Sequence, residues 1–232
     1  DVGEQATVRR ITAFDHVLIV AEPGHAALGP FAQGIARKHD LWLVSDEVYA
    51  SMIHGNHVFH SPFFDKDLEE RTIVVSSISK SHALPGFRCG WVAGSAEFCN
   101  HLLPVTETQL FGSQPFLEDA TAFALDTHFD ETDAMKKAYL ARARVLMEGV
   151  KQAKGVTTHL PEGGMFLMLD VRGTRLSGEA FARRLLDEED VVTMPGESFG
   201  ARGAGHLRVA LTVDEATMAE AARRISRLAG RL

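Results

Sequence analysis

The chain has 232 residues, of which 45% are hydrophobic, and a formal net charge of −7. That composition belongs to a folded globular protein with enough length for one large domain or two small ones, and it excludes a disordered chain. Charges of both signs are interspersed and the balance is acidic, so neither nucleic acid nor an anionic membrane surface is expected as a partner.

No stretch reaches the roughly 18 consecutive apolar residues of a membrane span, and the N-terminus lacks the charged start, apolar core and cleavage pattern of a signal peptide. The first residue is Asp1 rather than methionine, which hints at a piece of something longer. Cys89 and Cys99 form neither a C-x-x-C pair nor a zinc spacing. They read as buried free thiols, which fits a reducing, cytoplasmic setting.

Residues 1–15 show no pattern. Val17-Leu18-Ile19-Val20 is an apolar run of buried-strand type, ended by Glu22-Pro23-Gly24. Phe31 to Lys38 has the spacing of a short helix weakened by Gly34. Leu41 to Val44, Ile73 to Val75 and Trp91 to Gly94 are further strands. Strands alternating with helices predict an α/β fold with a largely parallel sheet and helices on both faces.

From about Gln114 the pattern turns helical, first over Phe116 to Leu125. A longer helix follows over Asp133 to Gln152, with Met135, Tyr139, Ala143, Leu146, Met147 and Val150 along one side. The tail predicts a small α+β unit with a short antiparallel sheet. Its elements are a strand over Met165 to Val171, a helix capped by Ser177, and strands over Val191 to Met194 and His206 to Thr212. A final helix opens at Val213-Asp214-Glu215.

The segment Val75-Ser76-Ser77-Ile78-Ser79-Lys80 delivers a lysine onto a hydroxyl-rich turn, and Arg88 follows in Gly86-Phe87-Arg88-Cys89-Gly90-Trp91. Alone, Lys80 would be a solvated surface charge. Beside an anion site and a second cation it suits an amine nucleophile. Ser77 and Ser79 are helix caps or hydroxyls of a phosphate cradle, and Arg88 is a surface ion pair or a bidentate phosphate ligand. Asp46 ends the strand Leu41 to Val44 and Tyr49 lies just beyond. Asp46 is a cap or the partner of a protonated ring nitrogen, and Tyr49 is a core aromatic or a hydroxyl in the same cleft. The C-terminal ends of such strands are where open α/β sheets bind ligands. Arg208 alternates with Leu207 and Val209, so it takes the opposite face, either as an exposed edge-strand arginine or as a fork for a carboxylate. His54, His57 and His60 fall at every third position, but Gly55, Asn56 and Pro62 break any helix there, so no metal site is expected.

Together these residues resemble the fold-type I pyridoxal-phosphate enzymes and, within them, the class I/II aminotransferases. The matching text is Ser45-Asp46-Glu47-Val48-Tyr49, Ser77-Ile78-Ser79-Lys80 and Gly86 to Trp91. Weaker matches are Pro161-Glu162-Gly163-Gly164-Met165-Phe166 and Leu207-Arg208-Val209. The similarity runs from about Ile11 to the C-terminus. It implies an incomplete large cofactor-binding domain over 1–132, a bridging helix over 133–152 and a small C-terminal domain over 153–232.

The resemblance also implies roles. Lys80 would carry pyridoxal 5'-phosphate as a Schiff base and later move protons at the substrate α-carbon. Asp46 would pair with the pyridinium nitrogen, and Tyr49 would bond the ring oxygen. Ser77 and Arg88 would bind the phosphate, and Arg208 the substrate α-carboxylate. The reaction would pass an amino group from an amino acid to a 2-oxo acid, in a homodimer. The family's Asn-Pro turn is absent from Ala21 to Gly29, where His25 is the nearest substitute, and its upstream phosphate loop and stacking aromatic precede this chain. The alternatives are a non-catalytic remnant or interaction module on the same scaffold and a pyridoxal-phosphate-dependent lyase.

Overall fold

The computed structural model describes residues 9–10, 17–21 and 28–232, with side chains from Gln33 onward. The Glu22-Pro23-Gly24 turn and His25 lie outside the described residues. The chain divides into two compact units, Asp1–Asp133 and Ala134–Leu232.

In the first unit, β1 (Arg9–Arg10), β2 (Val17–Ala21), β3 (Trp42–Asp46), β4 (Thr72–Ser77) and β5 (Gly90–Ala93) form one sheet in sequence order. The β2–β3 and β3–β4 pairs are parallel, and the outer pairs β1–β2 and β4–β5 are antiparallel. A parallel core of three strands is thus flanked by reversed ones. Between β2 and β3, α1 (Leu28–His39) buries Ala36 with Leu43 of β3 and Leu68. Burial alternates along β3, with Leu43 and Ser45 covered. That is the period of a strand whose faces differ.

After β4 comes α2 (Ile78–Ser81), anchored by fully buried Ile78. The sequence reading places no helix between the Trp91 to Gly94 strand and Gln114, yet α3 (Ala96–Leu110) lies there. Pro104 inside α3 hides the helical signal, because proline removes a donor and disfavours the interior. The helix forms on a strong start, with Ser95 Oγ accepting the Phe98 N–H at 3.2 Å. α4 (Pro115–Asp126) follows with proline at its first position, where no donor is needed.

α5 (Asp130–Val150) buries Tyr139, Ala143, Leu146 and Val150, the side expected from the spacing. The second unit's sheet has the order β6 (Thr157–Thr158), β7 (Phe166–Asp170), β9 (His206–Ala210), β8 (Met194–Pro195), all antiparallel. The strand predicted over Val191 to Met194 is therefore shorter and later. Pro195 lacks a ladder donor and ends it, while Val192 stands 79% exposed. α6 (Gly178–Glu189) starts where Ser177 Oγ accepts the Ala180 N–H at 3.1 Å. α7 (Glu215–Gly230) starts where Asp214 accepts the Thr217 N–H at 2.7 Å. Leu167, Leu169, Leu207, Val209 and Leu211 are buried, as are Phe181 and Leu185 of α6 and Ala222 and Ile225 of α7. Each such leucine contributes roughly 1.5–3 kcal/mol.

The ends of α6 and α7 are joined by a carboxylate whose side chain is 2% exposed, Glu189. It accepts Arg227 Nη2 at 2.6 Å and pairs with Arg231 Nη2 at 2.7 Å, while Arg224 donates to the Glu189 carbonyl at 2.7 Å. The Arg227 hydrogen bonds, with help from Arg231, hold the Glu189 carboxyl at about 2 against burial, which acts the other way.

Candidate active site

The parallel register pairs Asp46 with Val75. Paired residues point to the same face and alternate residues share it, so Asp46, Val75 and Ser77 project from one side, at the C-terminal ends of β3 and β4. Asp46 is half-buried and accepts the Val48 N–H at 3.2 Å. It closes a turn and does not cap a helix. Tyr49 is half-buried on that turn, and its carbonyl accepts the Met52 N–H at 2.8 Å.

The sequence reading missed Glu47, the residue that fixes this turn. Its N–H donates to Val75 O at 2.8 Å, its carbonyl accepts Ser76 Oγ at 3.2 Å, and its carboxylate accepts Ser61 Oγ. Glu47 thereby fastens the ends of β3 and β4 to each other and to the Ser61 segment. Its position beside Asp46 was a signal, but its partners lie far along the chain.

Ser77 occupies the N-cap position of α2 in extended backbone, and its hydroxyl does not close the cap. That leaves the Oγ for another acceptor or donor. Lys80 is the third residue of α2 and half-buried. In the following turn, Ala83 and Arg88 both have φ of 54°, the left-handed region. Such backbone costs about 1–3 kcal/mol per non-glycine residue and clusters at functional sites. Arg88 is exposed, and its Nη1 donates to Pro85 O at 2.8 Å, so the guanidinium folds back on its own turn.

Gly90 pairs with Ser77 across β4–β5. A Cβ there would lie 2.7 Å from Ser76 O and 3.1 Å from Ser77 Cβ. Glycine lets β5 press against the turn that carries Ser77 and Lys80. The first unit therefore gathers Asp46, Tyr49, Ser77, Lys80 and Arg88 around the ends of three neighbouring strands.

Arg208 belongs to the second unit. β9 lies between β7 and β8, so Arg208 is on an interior strand, which overturns the edge-strand alternative. Leu207 and Val209 are buried on the other face. The guanidinium Cζ sits 4.2 Å from the Phe166 ring centroid and 4.4 Å from that of Phe199. Neither ring was recognised from the sequence. Phe166 stands in a quoted motif, but a ring's contact with a distant arginine has no local signature.

Elsewhere, His54 is buried and His60 pairs with Asp65 at 3.1 Å. Among the described residues, no cluster of three or more ligating side chains could hold a metal. Cys89, just before β5, and Cys99, on α3, are free but half-buried, less covered than expected, and both segments carry exposed neighbours such as Val92 and Leu103.

A carboxylate, a tyrosine, a serine, a lysine and an arginine in this order about the strand ends of an α/β sheet match the pattern by which the sequence resembles the fold-type I pyridoxal-phosphate enzymes. The chain belongs to the family "Aminotransferase class I and II", whose profile matches residues 32–225. It is 43% identical to the arginine–pyruvate transaminase AruH of Pseudomonas aeruginosa, over 84% of this chain and 49% of that protein. It is 28% identical to the putative aminotransferase YugH of Bacillus subtilis, over 83% of this chain and 49% of that one. Among solved structures, an aromatic aminotransferase from Pyrococcus horikoshii superposes with a TM-score of 0.88 at 25% identity, covering 93% of this chain and 60% of that one. A probable N-succinyldiaminopimelate aminotransferase from Thermus thermophilus gives 0.84 at 28% identity, covering 91% and 58%. The chain thus spans about half the length of the curated relatives it matches.

Proposed function

We propose that the protein transfers an amino group from an amino acid to a 2-oxo acid with pyridoxal 5'-phosphate, and that this chain carries the main cofactor-binding groups. The observation that carries the reading is the shared face of Asp46 and Ser77, with the Ser77 hydroxyl unspent on the cap and Lys80 close behind it. The donor set fits the cofactor group by group. It offers a carboxylate for a pyridinium nitrogen, a phenol for a ring oxygen, a hydroxyl and a guanidinium for a phosphate, and an amine for an aldehyde.

In this reading Asp46 keeps the ring nitrogen protonated, and Tyr49 donates to the ring oxygen. Ser77 and Arg88 hold the phosphate, with Arg88 turning outward from Pro85 to do so. Lys80 Nζ is the point of attachment and the base that moves the proton at the substrate α-carbon. Arg208 grips the α-carboxylate with its planar fork. When bound, the cofactor supplies an electron sink at the reacting carbon. AruH acts on arginine and pyruvate by its name, so that pair is the first to try.

The first unit corresponds, in this reading, to part of the large domain and the second to the small domain. A homodimer is supported by the apolar surface on α3, α4 and their link, where Leu110, Phe111, Phe116 and Phe123 are exposed. A cytoplasmic setting is supported by two unpaired cysteines. Among the described residues, no helix is long and apolar enough to cross a membrane.

Adding pyridoxal phosphate to the chain is expected to give a visible absorption band that Lys80→Ala abolishes and Asp46→Ala shifts or weakens. Arginine with pyruvate should then yield alanine. No band, or a band indifferent to Lys80, would sink the proposal. Elimination products in place of alanine would move the assignment to a lyase.

A further inference from the structure

A carboxylate fork works only when the guanidinium plane is fixed. An arginine side chain left to itself samples many rotamers, and each hydrogen bond to a carboxylate must then overcome that freedom. A salt bridge would fix the plane but use up the donors. An aromatic face fixes it and leaves the edge N–H groups for a ligand. Arg208 has such support from two rings, at 4.2 and 4.4 Å.

The two rings are held differently. Phe166 is part of β7, an interior strand, and pairs in register with Ala210. Phe199 ends a 3-10 turn, Gly196–Phe199, outside the sheet, and is followed by Gly200 with φ of 109°. Its position depends on the same turn's Glu197. That carboxylate accepts the Gly178 N–H at 2.8 Å and the Gly205 N–H at 3.0 Å with one oxygen. It therefore ties the Phe199 loop to the start of α6 and to the entry of β9. A Cβ at Gly178 would lie 2.5 Å from Glu197 Oε2 and 2.4 Å from His206 O, so the staple requires glycine there.

We propose that Phe199 is a positioning residue that orients the Arg208 guanidinium for a substrate carboxylate. This rests on the reading of Arg208 as the carboxylate-binding residue and adds the group that makes its fork competent. The aromatic contact contributes on the scale of a partly exposed cation–π pair, so its loss weakens carboxylate binding roughly two- to five-fold.

The test uses the 232-residue chain, labelled with ¹⁵N, and pyruvate as the probe. The Arg208 Nε–Hε resonance is assigned by its loss in Arg208→Lys. In the wild type it is expected to lie upfield, under the ring currents, and to respond to pyruvate. Phe199→Leu should move it toward the position of an exposed arginine and weaken pyruvate binding by the stated factor. Phe199→Tyr, which keeps a ring, should restore both, an outcome that a merely space-filling role would not distinguish from leucine. Pyruvate affinity unchanged in Phe199→Leu overturns the proposal while Arg208 stands as the carboxylate-binding residue. Failure of the wild type to bind pyruvate at all overturns that parent reading and the proposal with it.

Discussion

At Gly90, hydrogen stands where any other residue would push a methyl into Ser76 O and Ser77. Backbone cannot swing aside as a side-chain tip can. Gly90→Ala is therefore expected to cost about 1–3 kcal/mol, read as a lower urea midpoint, and to weaken cofactor uptake at the same time. Ser61→Ala removes the hydroxyl that donates to Glu47 and should cost on the order of 1 kcal/mol in the same assay. An unchanged midpoint in both variants would show that the strand ends are not coupled in this way. The places of Asp46, Ser77, Lys80 and Arg88 about the strand ends were legible in the sequence because each sits in a short local pattern. Glu47 was not, because its partners Ser61 and Ser76 are remote in the chain, and Phe199 was not, because its contact with Arg208 forms only once the intervening loop folds back onto β9.

Among the elements, β2 to β5 of the first unit were readable because apolar runs such as Val17 to Val20 and Ile73 to Val75 have no competing helical period, whereas β1 (Arg9–Arg10) carries no such run. α3 was missed because Pro104 contradicts local propensity, and β8 was misplaced because an apolar run does not say where pairing begins. The α6–α7 junction yields a pH prediction. The Glu189 carboxyl has a folded pKa of about 2, lowered from 4.5, chiefly by Arg227. A lowered carboxylate pKa stabilises the folded state above the unfolded value, and that contribution is lost as pH falls from about 4.5 toward about 2. Asp170, lowered to about 2 by its Arg172 hydrogen bond, adds to the same window from a more exposed place. The thermal midpoint should therefore drop across that interval, and Glu189→Gln should lower it at neutral pH and flatten the drop. A variant curve parallel to the wild type would refute the assignment. At the start of α6, Ser177→Ala should cost about 1 kcal/mol, read by the same melts.

For the whole molecule, the exposed side chains of α3, α4 and their link carry the expectation of association. Phe111 is 92% exposed, and Leu110 and Phe116 are each 68% exposed. Aromatic groups displayed together in this way usually meet a partner. In sedimentation experiments the chain should behave as a dimer, and Phe111→Asp with Phe116→Asp should shift it to a monomer without loss of circular dichroism. A wild type that sediments as a monomer across the concentration range would count against self-association.

The carboxylate of Glu197 ends two amide hydrogens, those of Gly178 and Gly205, on a single oxygen. Neither can trade its proton for deuterium until that oxygen lets go. The two amides should then exchange at one common rate, and that rate is a clock for how often the segment bearing Phe199 swings open.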